Sequence, residues 1–436
     1  MSTRALTLAG VLALTLLGGC GHSAQLAVAD GMGATPQLPA PAPSLIPSIH
    51  VVAAKGWRSG DAPVAAQGLV ARPFAQGLEH PRWLYVLPNG DVLVAETNAP
   101  ERPDDATGIR GWFFRYFMKR AGGAVPSAER ITLLRDADGD GAAELRTTLV
   151  DGLASPFGMA LVDSTLYIAN TDAVVRVPYV AGDTTITTAP TAVVALPAGR
   201  RNHHWTKSLI ASPDGSRLYV GVGSNSNAAE NGMEAEAERA AIWEVDPATG
   251  SHRIHASGLR NPVGMAWQQG RLWVAVNERD ELGPDLVPDY MTAVRDGAFY
   301  GWPYSYFGTH VDARVTPQRP DLVASALVPD YALGPHTASL GLVNAAGNSL
   351  GAAYASGMFV AQHGSWNRKP FSGYKVIFVP FDGDAPAGPA YDVLVGFLRG
   401  NGDANGRPVG VALDRTGALL VADDVGNTIW RVARAQ

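Results

Sequence analysis

The chain has 436 residues, with 34 basic against 40 acidic side chains and a single cysteine. This mildly acidic balance, without any basic block, argues against nucleic acid as a partner. One cysteine rules out a CxxCH haem site, a cysteine-held cluster and an internal disulfide, and no glycine-rich strand-to-helix motif offers a nicotinamide or flavin site.

In chain order, Met1 to Arg4 is a short cationic start, and Ala5 to Leu17 is an apolar run too short to span a bilayer comfortably. Together they predict a secretory signal peptide over residues 1–19. It ends in Leu17-Gly18-Gly19-Cys20, which resembles a bacterial lipobox, so Cys20 is the expected lipidation site. Residues 20–59, rich in Ala, Pro, Gly and Ser, read as a flexible tether. The expected location is the periplasmic side of the cell envelope, lipid-anchored. Gly21, where an aspartate would retain the protein at the inner membrane, leans towards the outer one.

Residues 60–436 carry short β-rich apolar stretches broken by Asp, Gly and Pro. One unit recurs: an apolar strand, a turn, and a second apolar strand ending in a polar residue. It appears at 80–97, 155–171, 204–224, 261–278, 339–364 and 407–424, with Gly158, Gly264, Gly341 and Gly410 in the same phase. Six such hairpins, spaced widely enough for further strands, predict an all-β, six-bladed propeller. A β-sandwich would not repeat its hairpin in phase.

The start of a hairpin's first strand and the end of its second lie at the same edge. Two residue sets should therefore face one mouth. His80, Ser155, His204, Arg260, Asn261 and Arg407 precede first strands; Glu96, Asn170, Ser224, Glu278, His363 and Asp423 end second strands. Such a convergence of histidine, arginine, asparagine and carboxylates marks a functional mouth.

Three other segments stand out. Asp136, Asp138 and Asp140, with Gly141 following, look like the front of a calcium loop. Thr147 stands where the closing glutamate belongs, with Glu144 as a substitute; an acidic β-turn is the alternative reading. Gly111 to Arg120 alternates aromatic and basic residues, as an outer covering of the first blade or a membrane-surface element would. Glu230 to Arg239 reads as a charged loop near the mouth. No HExxH motif supports a zinc hydrolase.

RNHHWTKSLIASPDGSRLYVGVGSNSN (201–227), GLRNPVGMAW (258–267), DGAFYGWPYSYFG (296–308), HGSWNRKPFSGYKVIFVPF (363–381) and GRPVGVALDRTGALLVADD (406–424) resemble the sorbosone dehydrogenase family. That family is similar in turn to the soluble pyrroloquinoline quinone (PQQ) glucose and aldose dehydrogenases. The resemblance implies PQQ and calcium at the propeller mouth and oxidation of an aldose or related aldehyde. It makes His204 the catalytic base, with His203 its rival, and Arg260 with Asn261 the pair that meets cofactor and developing charge. Arg407 becomes a cofactor arginine, Arg368 or Lys369 a further cofactor cation, and Asp280, in the loop after the fourth hairpin, a ligand of the cofactor's calcium.

Three positions depart from the glucose dehydrogenases. Ser224 stands where they orient the base with aspartate, Val409 where they carry a second cofactor arginine, and Leu153 where they present a glutamine. Asn225 is a candidate to orient the base instead. With no haem site in the chain, electrons would leave to a separate periplasmic acceptor. The alternatives are a metal-dependent, lactonase-like propeller hydrolase and a non-catalytic ligand-binding propeller.

Overall fold

The computed structural model of the protein describes residues 23–43, 50–100, 116–117, 119–199 and 201–435. It is an all-β ring of six blades, each a sheet of antiparallel strands numbered here from the axis outwards. Blade one comprises Pro81–Val86, Val92–Glu96, Arg130–Arg135 and Leu145–Val150. Blades two and three begin at Met159–Val162 and Lys207–Ala211, and blades four, five and six at Pro262–Gln268, Ser339–Asn344 and Pro408–Leu413. These are the first strands of the repeated hairpins.

The ring is closed by a strand from the far end of the domain. Leu69–Gln76 pairs along its length with Thr428–Arg434 as the outermost strand of blade six. Sealing the ring this way leaves no open gap between the first and last blades.

Glycine recurs in phase because neighbouring inner strands press together there. A Cβ at Gly158 would run into the Leu209 backbone, one at Gly264 into Leu342, one at Gly341 into the Val409 carbonyl, and one at Gly410 into the Arg82 carbonyl. At the same level the inner strands of blades one, four, five and six shift register by a β-bulge. The bulges bend the strands towards the axis. One side chain per blade then meets at the centre: Trp83, Phe157, Trp205, Val263, Leu340 and Val409 form part of a single buried apolar cluster. This floor closes the central channel.

Above the floor, register places both halves of the predicted polar set at one edge. Pro81 pairs with Glu96, Lys207 with Val222, Pro262 with Val276, Ser339 with Gln362 and Pro408 with Asp423.

The N-terminal segment corrects the expectation of a flexible tether for its described residues. Met32–Gly33 adds a strand to the outer edge of blade four. Ala42 N–H donates to the Leu282 carbonyl, His50 N–H to Trp366, and Lys55 N–H to Ala404. Residues with no apolar periodicity are held through backbone hydrogen bonds, which composition does not reveal. Among the described residues no helix is long and apolar enough to cross a membrane.

Gly341→Ala should destabilise the fold by about 1–3 kcal/mol or more, because the methyl meets backbone rather than a movable side chain. Gly400, with nothing within 4 Å of a built Cβ, should accept alanine with little change. Denaturant unfolding of both variants checks this.

Candidate active site

His204 stands on the lead-in to the inner strand of blade three. Its Nδ1 lies 2.9 Å from the Ser224 carbonyl oxygen and 3.0 Å from Ser224 Oγ. The Ser224 hydroxyl donates to the Ser226 carbonyl at 2.6 Å, so Oγ is an acceptor towards the ring. Two acceptors at Nδ1 fix the proton there and leave the Nε2 lone pair as the basic site of the neutral ring. Ser224 thus orients the ring without the charge of a carboxylate. Asn225 does not hold the ring, because its amide donates to the Arg201 carbonyl at 2.6 Å. His203, the rival base, is exposed.

Two charged clusters flank this histidine. The first is centred on Asp280, whose Oδ1 accepts from Asn367 Nδ2 at 2.8 Å and lies 3.2 Å from His336 Nδ1. Its Oδ2 is 3.6 Å from Arg260 Nη2. Burial pushes this carboxyl up, but His336, Arg260 and Asn367 outweigh it and hold it below the ordinary range. Arg260 is itself buried, and donates to the carbonyls of Asn227 and Glu278 and to Asn227 Oδ1. Asn261 is buried beside it with Oδ1 unpartnered.

The second cluster joins blades five, six and one around Asp424. Arg82 Nη1 donates to Asp424 Oδ2 at 2.7 Å, and His363 Nε2 lies 2.9 Å from the same oxygen. Burial works against the Asp424 charge, yet His363, His80 and Arg82 together drive the carboxyl far below its usual range. Arg407 lies over the Tyr374 ring, 5.0 Å from its centroid, and Arg82 lies 5.7 Å from that of Trp205. Arg407 is buried and Arg82 half-buried, and each keeps buried donors unused: Nε and Nη2 of Arg407 and Nε of Arg82 have no hydrogen-bond partner. Beside this cluster opens a cavity of about 690 Å³ whose walls include Trp57, His80, Ser127 and Asp424.

Arg82 and Asp424 were not singled out by the repeat. Arg82 lies within the first strand, where the bulge between Pro81 and Trp83 breaks simple alternation. Asp424 follows Asp423, and the two play different parts. Asp423 clasps the Trp57 and Trp430 indoles and the backbone of Arg407; burial raises its carboxyl to about 6. A cation facing the mouth in a first strand, and a second carboxylate after a last one, were the available signals.

The remaining candidates fall elsewhere. Arg368 is corrected as a cofactor ligand: its guanidinium donates to the carbonyls of Pro284, Pro370 and Leu26 and pairs with Asp285 at 3.2 Å. It clasps the N-terminal segment. Lys369 is exposed on the mouth rim. Val409 and Leu153 both belong to the apolar cluster that includes the floor. Asp136, Asp138, Asp140 and Glu144 bring one ligand atom each within 4.8 Å of one another, in the turn at the opposite edge of blade one. Loop amides already donate to Asp136, Asp138, Asp140 and Glu144. Cys20 lies outside the described residues, as does most of 111–120.

A six-bladed ring with an apolar floor and a mouth of buried arginines, histidines and carboxylates defines a propeller with a polar cup at one end. The TrAA12-like family model matches residues 127–289 and 321–435, and the chain belongs to that family. A pyrroloquinoline quinone-dependent pyranose dehydrogenase from Coprinopsis cinerea is 34% identical over 129 residues, 26% of this chain and 17% of that enzyme. An uncharacterized protein of Borreliella burgdorferi is 27% identical over 303 residues, 65% of this chain and 77% of that one. Among solved structures, the holo PQQ domain of the C. cinerea enzyme aligns with a TM-score of 0.68 at 21% identity, covering 86% of this chain and 97% of that one. The calcium structure of the Trichoderma reesei family AA12 enzyme aligns with 0.69 at 20%, with the same coverage. The PQQ-bound aldose sugar dehydrogenase of Streptomyces coelicolor gives 0.54 at 18%, covering 85% and 99%. At these identities the structures establish the fold.

Burial lowers His80 from 6.5 to about 4, with Asp424 opposing and Arg82 and His363 adding to the effect. The folded protein therefore keeps His80 neutral while the unfolded chain takes up a proton, and stability is lost as pH falls from 6.5 towards 4. Relative to His80→Asn, the parent should lose about 3 kcal/mol more across that interval, measured by denaturant unfolding at each pH.

Proposed function

We propose that the chain is a PQQ-dependent dehydrogenase of a small pyranose, aldose or related aldehyde. We further propose that it is anchored by lipid at Cys20 on the periplasmic side of the envelope, in the outer membrane, and passes electrons to a separate periplasmic acceptor. The observation that carries the chemistry is the pair of arginines with buried, unused donors, Arg407 from blade six and Arg82 from blade one. Buried cations with spare N–H groups call for an anion, and PQQ is a planar tricarboxylate. Arg82, beside the Gly410 contact between blades, offers the second cation that Val409 does not supply.

Arg407, Arg82 and Asn261 would hold the cofactor, with Arg260 facing the charge that develops on it. When bound, PQQ supplies the two-electron acceptor for hydride leaving the substrate carbon. His204, with its proton fixed on Nδ1, takes the substrate hydroxyl proton at Nε2. The Ser224 carbonyl and hydroxyl then stabilise the imidazolium by dipole alone, and less strongly than an aspartate would.

At the mouth, calcium enters as a companion of the cofactor. In the loop after the fourth hairpin the oxygens of Glu278, Asp280, Gly283 and Pro284 accept from Arg260, Arg314, Asn367, His336 and Arg368. Asp280 acts there as a counter-ion, and an incoming cation would have to displace these donors. The same pairing weighs against a metal-dependent hydrolase. Asp280 and Asp424 are each neutralised by their own cations and do not converge on a common ion. The Asp136 loop, with Glu144, is proposed as a separate structural calcium site.

Calorimetric titration with PQQ and calcium should show binding that Arg407→Ala or Arg82→Ala weakens by about tenfold or more. His204→Ala should leave binding in place and cut dye reduction with aldoses by about a hundredfold or more. No binding by folded protein would overturn the dehydrogenase reading. Ser224→Asp should raise the acidic limb of the kcat/KM profile by at least about one pH unit, since it adds an opposite charge beside the base.

A further inference from the structure

The start of the described chain is fixed to the mouth face. Ala24 N–H donates to the Lys369 carbonyl at 2.8 Å, Gln25 N–H to Asp285 Oδ2 at 2.7 Å, and Leu26 N–H to the same oxygen at 3.3 Å. From the other side, Arg368 Nη2 donates to the Leu26 carbonyl at 2.7 Å and pairs with Asp285 at 3.2 Å. Arg368 is fully buried, so this clasp is part of the fold. Asp285 belongs to the loop between Arg271–Val276 and Pro288–Ala293, and Arg368 and Lys369 to the loop between Gly357–Gln362 and Lys375–Asp382. Both loops leave second strands, so both stand on the face that carries His204, Arg260 and Arg407.

Cys20 precedes Ala24 by four positions. Four residues span at most about 14 Å when fully extended. The strands of a blade, five to seven residues long for the most part, separate the two faces by about 20 Å. A lipid on Cys20 can therefore reach past the mouth face but not round to the opposite one.

The mouth face also carries exposed apolar side chains of its own. Of eight large hydrophobic residues exposed among those described, Tyr116, Val125, Met233 and Trp366 lie on loops of the mouth face. They come from blades one, three and five, and so spread around the rim. Exposed aromatic and aliphatic side chains suit the interfacial layer of a bilayer.

We propose that the lipid bilayer is the partner of the mouth face: the propeller sits mouth-down, with its active site opening into a narrow gap above the membrane. This rests on the lipidation of Cys20 put forward above. Substrate then enters sideways, between rim and lipid, which restricts it to small molecules. An electron acceptor must likewise reach the site through that gap.

The test uses the full chain, exported, acylated and reconstituted into phosphatidylcholine vesicles that contain a nitroxide-labelled lipid as quencher. An acylated Cys20 cannot react with a thiol dye, so a fluorophore can be placed at one new cysteine. Trp366→Cys and Met233→Cys report the rim; Val180→Cys, in the turn after Ala173–Pro178, reports the opposite face. The rim labels should be quenched several-fold more than the Val180 label. A Gly/Ser insertion of about twenty residues between His22 and Ser23, with a mean reach of about 25 Å, should remove that difference. Equal or reversed quenching in acylated protein without the insertion would overturn the orientation while leaving the anchor. An intact mass without acyl chains would overturn it through its premise. Two rim positions guard against one variant failing to fold.

Discussion

Everything in this molecule depends on how closely six inner strands approach one another. Gly158, Gly264, Gly341 and Gly410 let backbone meet backbone where side chains would hold the blades apart. Packing at that distance brings one apolar side chain per blade into a single buried cluster on the axis. The sealed floor turns a channel into a cup. Polar groups above it are removed from bulk water, so their charges interact strongly and their unpaired donors matter.

Within the cup, charge is organised around two aspartates rather than around the base. Asp280 draws together Arg260, His336 and Asn367 from blades four and five, while Asp424 draws together Arg82 and His363 from blades one and five. Asp280 holds together two cations, Arg260 and His336, that would otherwise repel. His204 is oriented by the carbonyl and the hydroxyl of Ser224.

The hairpins and their common edge were legible because side-chain alternation and glycine phase are local properties of the chain. His204, Arg260 and Arg407 could be placed for the same reason. What escaped depends on interactions across blades. Arg82 is displaced from the regular phase by a bulge, and its importance comes from Arg407 and Asp424, more than three hundred residues away. Arg368 carries the residue type expected of a cofactor cation, but Asp285 and three backbone carbonyls claim it first. The segment from Ser23 to Pro43 has the composition of a tether and no pattern to betray its docking. Its hold is mostly through main-chain hydrogen bonds, which are blind to sequence.

The pairing of Leu69–Gln76 with Thr428–Arg434 also makes the cup a product of the finished chain. Leu69–Gln76 emerges early and must wait for the last strand before blade six is complete. Until then Arg82 and Arg407, whose blades adjoin at that seam, have no common position. Folding is therefore dominated by a contact of very long sequence separation, which is slow to form. A ligand held across the seam would bind only the closed ring and lengthen its lifetime. The mouth and the closure of the molecule are completed by the same strand pairing.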